Sequence, residues 1–92
     1  MVKHARLFDS FFQGGFECST HRLRSGKRLD EIAATRHDTF ARLDYLRLLQ
    51  RGMRTAREGL RWHLIEATAG RYDFASALGL IKAADDAGVQ LI

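Results

Sequence analysis

Ninety-two residues, 46% hydrophobic and 28% charged, allow one small globular domain. A chain of that size buries only about two-thirds of its unfolded surface, which leaves a thin margin of stability. No run approaches the ~20 apolar residues that span a bilayer. The opening Met1–Ser10, with Lys3, His4 and Arg6, lacks the apolar stretch of a signal peptide, so export is not expected. The lone Cys18 excludes an internal disulfide and offers no ligand set for structural zinc, and a reducing cytoplasm is the default compartment. The net charge of +4 invites a nucleic-acid reading, but the twelve arginines are scattered from Arg6 to Arg71 rather than gathered on one stripe. A solvated surface accounts for them, and no nucleic-acid partner is expected.

The first expected strand is Phe11–Cys18, aromatic-rich with the pair Gly14-Gly15 at its centre, where glycine marks a bend or a close backbone approach. A polar, basic connection from Ser19 to Asp30 follows, turning at Ser25-Gly26. A helix then starts between Thr35 and Asp38 and runs to about Arg51. Its stripe is traced by Phe40, Leu43, Leu46 or Arg47, and Gln50, widened by Leu48 and Leu49, with Gly52 as a left-handed cap. The second strand is expected from Met53 to Leu60 or Trp62. A second helix spans about Phe74–Ala87, with Leu78, Ile81 and Ala84 or Asp85 on its buried side. Gly88 closes it, and Val89–Ile92 begins a third strand.

The helix–Gly–strand order thus occurs twice, and the 36 residues from Gly52 to Gly88 match one βα unit. The expected fold class is α/β: a βαβαβ chain of three parallel, adjacent strands over a single segment, 1–92. A parallel sheet needs cover on both faces or closure into a barrel, which two helices on one side cannot supply. The sequence reads as an unfinished architecture.

The second strand is unusually polar. Alternation sets Thr55, Arg57, Gly59 and Arg61 on one face, and Ala56, Glu58, Leu60 and Trp62 on the other. A buried Arg57 needs an anionic partner or an aqueous cavity. The alternatives are a structural ion pair, an exposed edge, or a strand end facing a polar cleft. Glu17, His21 and His63 stand at strand ends, where surface roles compete with site roles. Cys18 has no neighbouring histidine to activate it, and Gly14-Gly15 lacks the spacing of a dinucleotide fingerprint. No cofactor or metal site is expected.

The run Phe11-Phe12-Gln13-Gly14-Gly15-Phe16-Glu17-Cys18-Ser19 resembles the opening strand of family 1 glycoside hydrolases, the β-glucosidase-like enzymes. Arg57 followed by Trp62 looks like their second strand. Ile65-Glu66 with Gly70–Phe74 is similar to the connection to their second helix, and Ala87–Ile92 to the approach to their third strand. The resemblance implies a (β/α)₈ barrel with its site at the C-terminal strand ends, of which this chain supplies the first two βα units and the start of a third strand. It implies a carbohydrate substrate, bound near His21, Arg57 and Trp62, although His21 stands where the family has a sugar-binding glutamine. The family's two catalytic carboxylates follow its fourth and seventh strands, so no catalytic residue falls within this chain, and the isolated chain is expected to be inactive. The rival expectation is a stand-alone α/β binding module that self-associates through exposed sheet edges.

Overall fold

The computed structural model of the chain describes residues 7–92. The expectation resting on Lys3, His4 and Arg6 falls outside these described residues.

Strand β1 is Gln13–Gly15. Strands β2 (Thr20–Arg22) and β3 (Arg28–Asp30) form a short antiparallel hairpin in what the sequence marks as a connection, its turn lying between them at Ser25-Gly26 as expected. The Asp30 carboxylate accepts from the backbone N–H groups of Ile32 and Ala33, and so caps α1 (Glu31–Ala34). Arg36, in the left-handed region at φ 59°, redirects the chain into α2 (His37–Gln50), which kinks at Phe40. Strand β4 (Thr55–Arg57), the single-turn α3 (Trp62–Ile65), α4 (Ala75–Ala87) and β5 (Gln90–Leu91) complete the chain. Gly52 and Gly88 both take positive φ, +77° and +80°, as the caps read from the sequence require.

The fold is α/β, built on a three-stranded parallel sheet of order β1-β4-β5. In register, Gln13, Thr55 and Gln90 share one face, and Gly14, Ala56 and Leu91 the other. The second face lies under the helices. There Ala56 joins Ile32, Ala41, Tyr45, Leu80, Ala84 and Val89 in the buried core. A Cβ at Gly14 would stand 2.8 Å from the Leu48 methyls, so the missing side chain lets α2 approach the sheet.

Among the described residues, no helix lies on the opposite face. At its N-terminal end, residues ahead of β1 cross over it. The Asp9 N–H is shared between Thr55 Oγ1 and Gln90 Oε1, both at 3.1 Å, and the Gln90 amide donates to Leu7 O at 3.1 Å. Ser10 Oγ accepts from the Arg54 N–H at 2.9 Å. Thr55 is thereby wholly buried, while Gln13 beside it, and Gly15, Arg57 and Ile92 toward the C-terminal end, stay exposed.

Three expectations are corrected. The strands are shorter than read: Phe11 and Phe12 precede β1 and are exposed, and β4 stops at Arg57, so Trp62 opens a helix. In α2 the buried positions are His37, Ala41 and Tyr45, while Phe40, Leu43 and Leu46 lie exposed on the outer flank. In α4 they are Ala77, Leu80 and Ala84; of the alternatives Ala84 and Asp85 it is Ala84 that is buried, and Leu78 and Ile81 are exposed. Each helix has two adjacent rows able to pack, and the row with alanines wins because small side chains permit close approach to the sheet.

Tight contact also sets the outcome of two glycine substitutions. A Cβ at Gly59 would lie 2.6 Å from both Cβ and Sγ of Cys18, whereas one at Gly79 in α4 meets nothing within 4 Å. Gly59→Ala is expected to destabilise the chain by about 1–3 kcal/mol through overpacking. Gly79→Ala should stabilise it by about 0.5–1 kcal/mol through helix propensity. Urea denaturation of both variants checks the opposite signs.

Candidate functional site

In open parallel sheets, chemistry gathers where the strands end at their C-termini, because the connections that leave there carry the variable side chains. Here those ends bring together three polar groupings.

The first lies between the sheet and α2. Glu58 directly follows β4, and its backbone is held in the sheet by an N–H donated to Ile92 O at 3.1 Å. Its side chain turns toward the helices and is 7% exposed. Oε2 accepts from the Tyr45 hydroxyl and lies 2.7 Å from His37 Nε2, while His37 Nδ1 lies 2.8 Å from Asp44 Oδ2. Carboxyl oxygens against both ring nitrogens favour the form of His37 in which both carry protons, the imidazolium. Burial works against that charge. The hydrogen bonds and negative charges of Glu58 and Asp44 outweigh it and hold His37 above its ordinary range. Phe16 stacks on the imidazole at 3.9 Å between centroids, and burial together with Glu58 pushes the Tyr45 phenol up.

The second grouping joins the hairpin to α3. Arg61 donates to Asp30 from Nε at 2.9 Å and from a terminal nitrogen at 2.8 Å, and reaches Asp38 at 3.3 Å. His63 Nε2 lies 3.1 Å from the same Asp30 oxygen. Burial raises the Asp30 pKa, but the Arg61 and Ala33 donors and the charges of Arg61 and His63 bring it below the usual value.

The third faces solvent. Arg57, last in β4, points to the open side, where its guanidinium lies over Gly15. Glu17 accepts from the Ser19 hydroxyl at 2.6 Å and from its N–H at 3.1 Å. Those bonds, with the Arg57 charge adding to them, hold its pKa low.

Of the residues read from the sequence, Arg57 stands at the strand-end cleft. Exposed His21 lies in β2 opposite Leu29, away from that strand end in sequence and in pairing. Trp62 sits at the start of α3, with its indole N–H donated to Glu66 Oε1 at 3.1 Å. Glu58, available by residue type, is enclosed on the helix side. His37, Asp44, Tyr45 and Asp30 went unrecognised. The spacing of His37, Asp44 and Tyr45, seven and one residues apart, puts all three on one side of α2, and that was the legible signal. Among the described residues, no group of three or more His, Cys, Asp or Glu side chains is disposed to hold a metal ion, and no helix is long and apolar enough to cross a membrane.

The fold and these strand ends define the chain as a parallel α/β unit with a polar C-terminal edge. Comparison with family models, curated proteins and solved structures returned no match.

The His37 cluster carries a pH signature. A histidine held above its ordinary value of 6.5 contributes stability that is full below that pH and lost as pH rises through the raised value. Wild-type stability is expected to fall through that window, and His37→Ala should flatten the profile. Loss of the cation between two carboxylates is expected to cost about 3–5 kcal/mol. Urea midpoints from pH 6 upward, with an NMR titration of His37, check both.

Proposed function

We propose that the chain is the N-terminal portion of a β-glucosidase-like glycoside hydrolase of family 1 type, cytoplasmic and acting on neutral glycosides rather than nucleic acid. The observation that carries the reading is Arg57, at the C-terminal end of the central strand, presented on the one sheet face without helices. In a (β/α)₈ barrel that face lines the interior, and strand ends of this kind surround the substrate. Three further features agree with it. The strands run in sequential, parallel order. The helices cover a single face. Their outer flanks expose Phe40, Leu43 and Leu46 on α2, and Leu78 and Ile81 on α4, rows that neighbouring βα units would bury.

Within this reading, Arg57 supports and orients the nucleophile carboxylate, and its positive charge keeps that group ionised. Trp62 borders the sugar pocket, and His21 contributes from the hairpin. Retaining hydrolysis needs two carboxyl groups about 5–5.5 Å apart across the scissile bond. Glu58 is committed to His37 and Tyr45, and Glu66 to Trp62 and the Gly70 N–H. Glu17 is bonded to Ser19, and the family pattern sets both acids after later strands.

A second reading is a binding module that associates with itself. It is favoured by the unpaired outer edges of β1 and β5 and by the same exposed apolar rows.

The test is the coding sequence beyond Ile92. Further βα units with glutamates at strand ends are expected, and their absence would sink the hydrolase. In the whole protein, Arg57→Ala should lower kcat on chromogenic β-glucosides by about a hundredfold or more. The 92-residue chain alone should give no turnover. A discrete, cooperatively melting dimer in size-exclusion and thermal experiments would favour the module.

A further inference from the structure

The β2–β3 hairpin concentrates the charge of the chain. Four of the fifteen lysines and arginines, Arg22, Arg24, Lys27 and Arg28, fall within seven consecutive residues, and no acid occurs between Glu17 and Asp30. The eleven other cations equal the eleven acids in number, so the whole excess of +4 sits on this one hairpin. All four side chains are exposed.

The backbone holds these charges together. The Leu23 N–H donates to Lys27 O at 2.7 Å and the Gly26 N–H to Leu23 O at 2.9 Å, closing a turn in which Gly26 takes φ +86°. Pairing sets Arg22 directly opposite Arg28, and like charges facing one another across a strand pair are destabilising. Among the described residues, no carboxylate relieves them. The ion pairs there involve His37, Arg61 and His63, and Asp30, at the foot of the hairpin, is taken by Arg61, His63 and the cap of α1. Arg28 donates to the Thr20 hydroxyl at 3.0 Å instead. Cations crowded in this way are stabilised by an anion from outside the chain.

Two features select among anions. From Thr20 to Asp30 there is no Phe, Tyr or Trp, so the hairpin offers no ring on which unpaired bases could stack. At the turn, between Arg22 and Arg24, Leu23 is 40% exposed. A leucine gains nothing against the phosphates of a duplex. At a bilayer surface it enters the acyl boundary, while the flanking guanidinium groups hold the headgroups. A cluster of about four or more basic residues is also the size that draws a protein to the anionic cytoplasmic leaflet.

We infer that the hairpin docks the chain on an anionic lipid surface, with Arg22, Arg24, Lys27 and Arg28 on the headgroup phosphates and carboxylates and Leu23 at the acyl boundary. This needs neither a sugar pocket nor further βα units, so it stands or falls apart from the hydrolase reading.

Vesicle co-sedimentation of the 92-residue chain tests it. On phosphatidylcholine vesicles with about 30 mol% phosphatidylserine, in about 50 mM salt, binding is expected to exceed that on phosphatidylcholine alone about tenfold. Raising the salt to about 500 mM should release the chain. Arg22→Gln with Arg28→Gln should weaken binding about tenfold. Arg42→Gln with Arg47→Gln, which removes the same charge from exposed positions on α2, should weaken it less than about threefold. Leu23→Ala should weaken it about threefold. Circular dichroism verifies that each variant is folded. In the wild type, amide broadening on phosphatidylserine nanodiscs, centred on residues 20–28, gives a readout independent of any variant. The inference is overturned by absent binding, by equal binding to the two kinds of vesicle, or by equal losses in the two arginine pairs. It is equally overturned if a DNA duplex of about twenty base pairs, or decaglutamate, is bound more tightly than the vesicles.

Discussion

A charged imidazole enclosed between two carboxylates joins the helical layer to the sheet. His37 and Asp44 belong to α2, Glu58 follows β4, and the shared proton bonds fix the height and rotation of the helix over the strand. Taking such charges out of water is costly, and a well-packed apolar replacement can match a buried ion pair in stability. Direction is what the arrangement adds. Apolar contacts among Ala41, Tyr45 and Ala56 tolerate sliding, whereas an imidazolium with both nitrogens committed does not. The kink at Phe40 and the left-handed Arg36 are local departures from regular helix geometry that bring His37 to this position.

That anchoring gives the sheet two unlike sides. Glycine and alanine at Gly14 and Ala56 accept the helices closely on one side. On the other, Thr55 and Gln90 are tied down by the segment ahead of β1, and Arg57 is free in solvent. Enclosure of Glu58 and exposure of Arg57, adjacent in sequence, are two results of one strand alternation. The functional reading rests on that contrast, since a group committed to the core is lost to a substrate while its neighbour is offered to one.

Much of the order of elements was legible, because helix–Gly–strand punctuation is local physics. Gly52 and Gly88 sit at the left-handed positions that only their lack of a side chain favours, and the helices end where those residues stand. Which row of each helix faces inward was not legible. Phe40, Leu43, Leu78 and Ile81 are more apolar than the rows that are buried, so hydrophobicity alone points to the wrong side. Alanine spacing and the opportunity for Tyr45 to reach Glu58 decide it, and both depend on a partner distant in sequence. The hairpin was hidden for a related reason: Thr20–Arg22 and Arg28–Asp30 are polar and lack the alternation that announces a strand. At the candidate site, Arg57 was readable as an anomaly within its own strand. The Asp30–Arg61 pair, 31 residues apart, had no local signature.

Gln90, accepting from the Asp9 N–H and donating to Leu7 O, joins positions separated by 81 and 83 residues. On a ribosome, where a chain emerges from its amino end, Leu7 and Asp9 must wait for Gln90, more than 80 residues later. Until then the upstream strap has no acceptor at Gln90, and the face around Thr55 stays uncovered. Closing so wide a loop places the strap among the later contacts of this sheet to form. Nascent copies therefore pass through a stage in which helices and the β1–β4 pair can already exist while one sheet face lies bare, the stage most open to holdase chaperones.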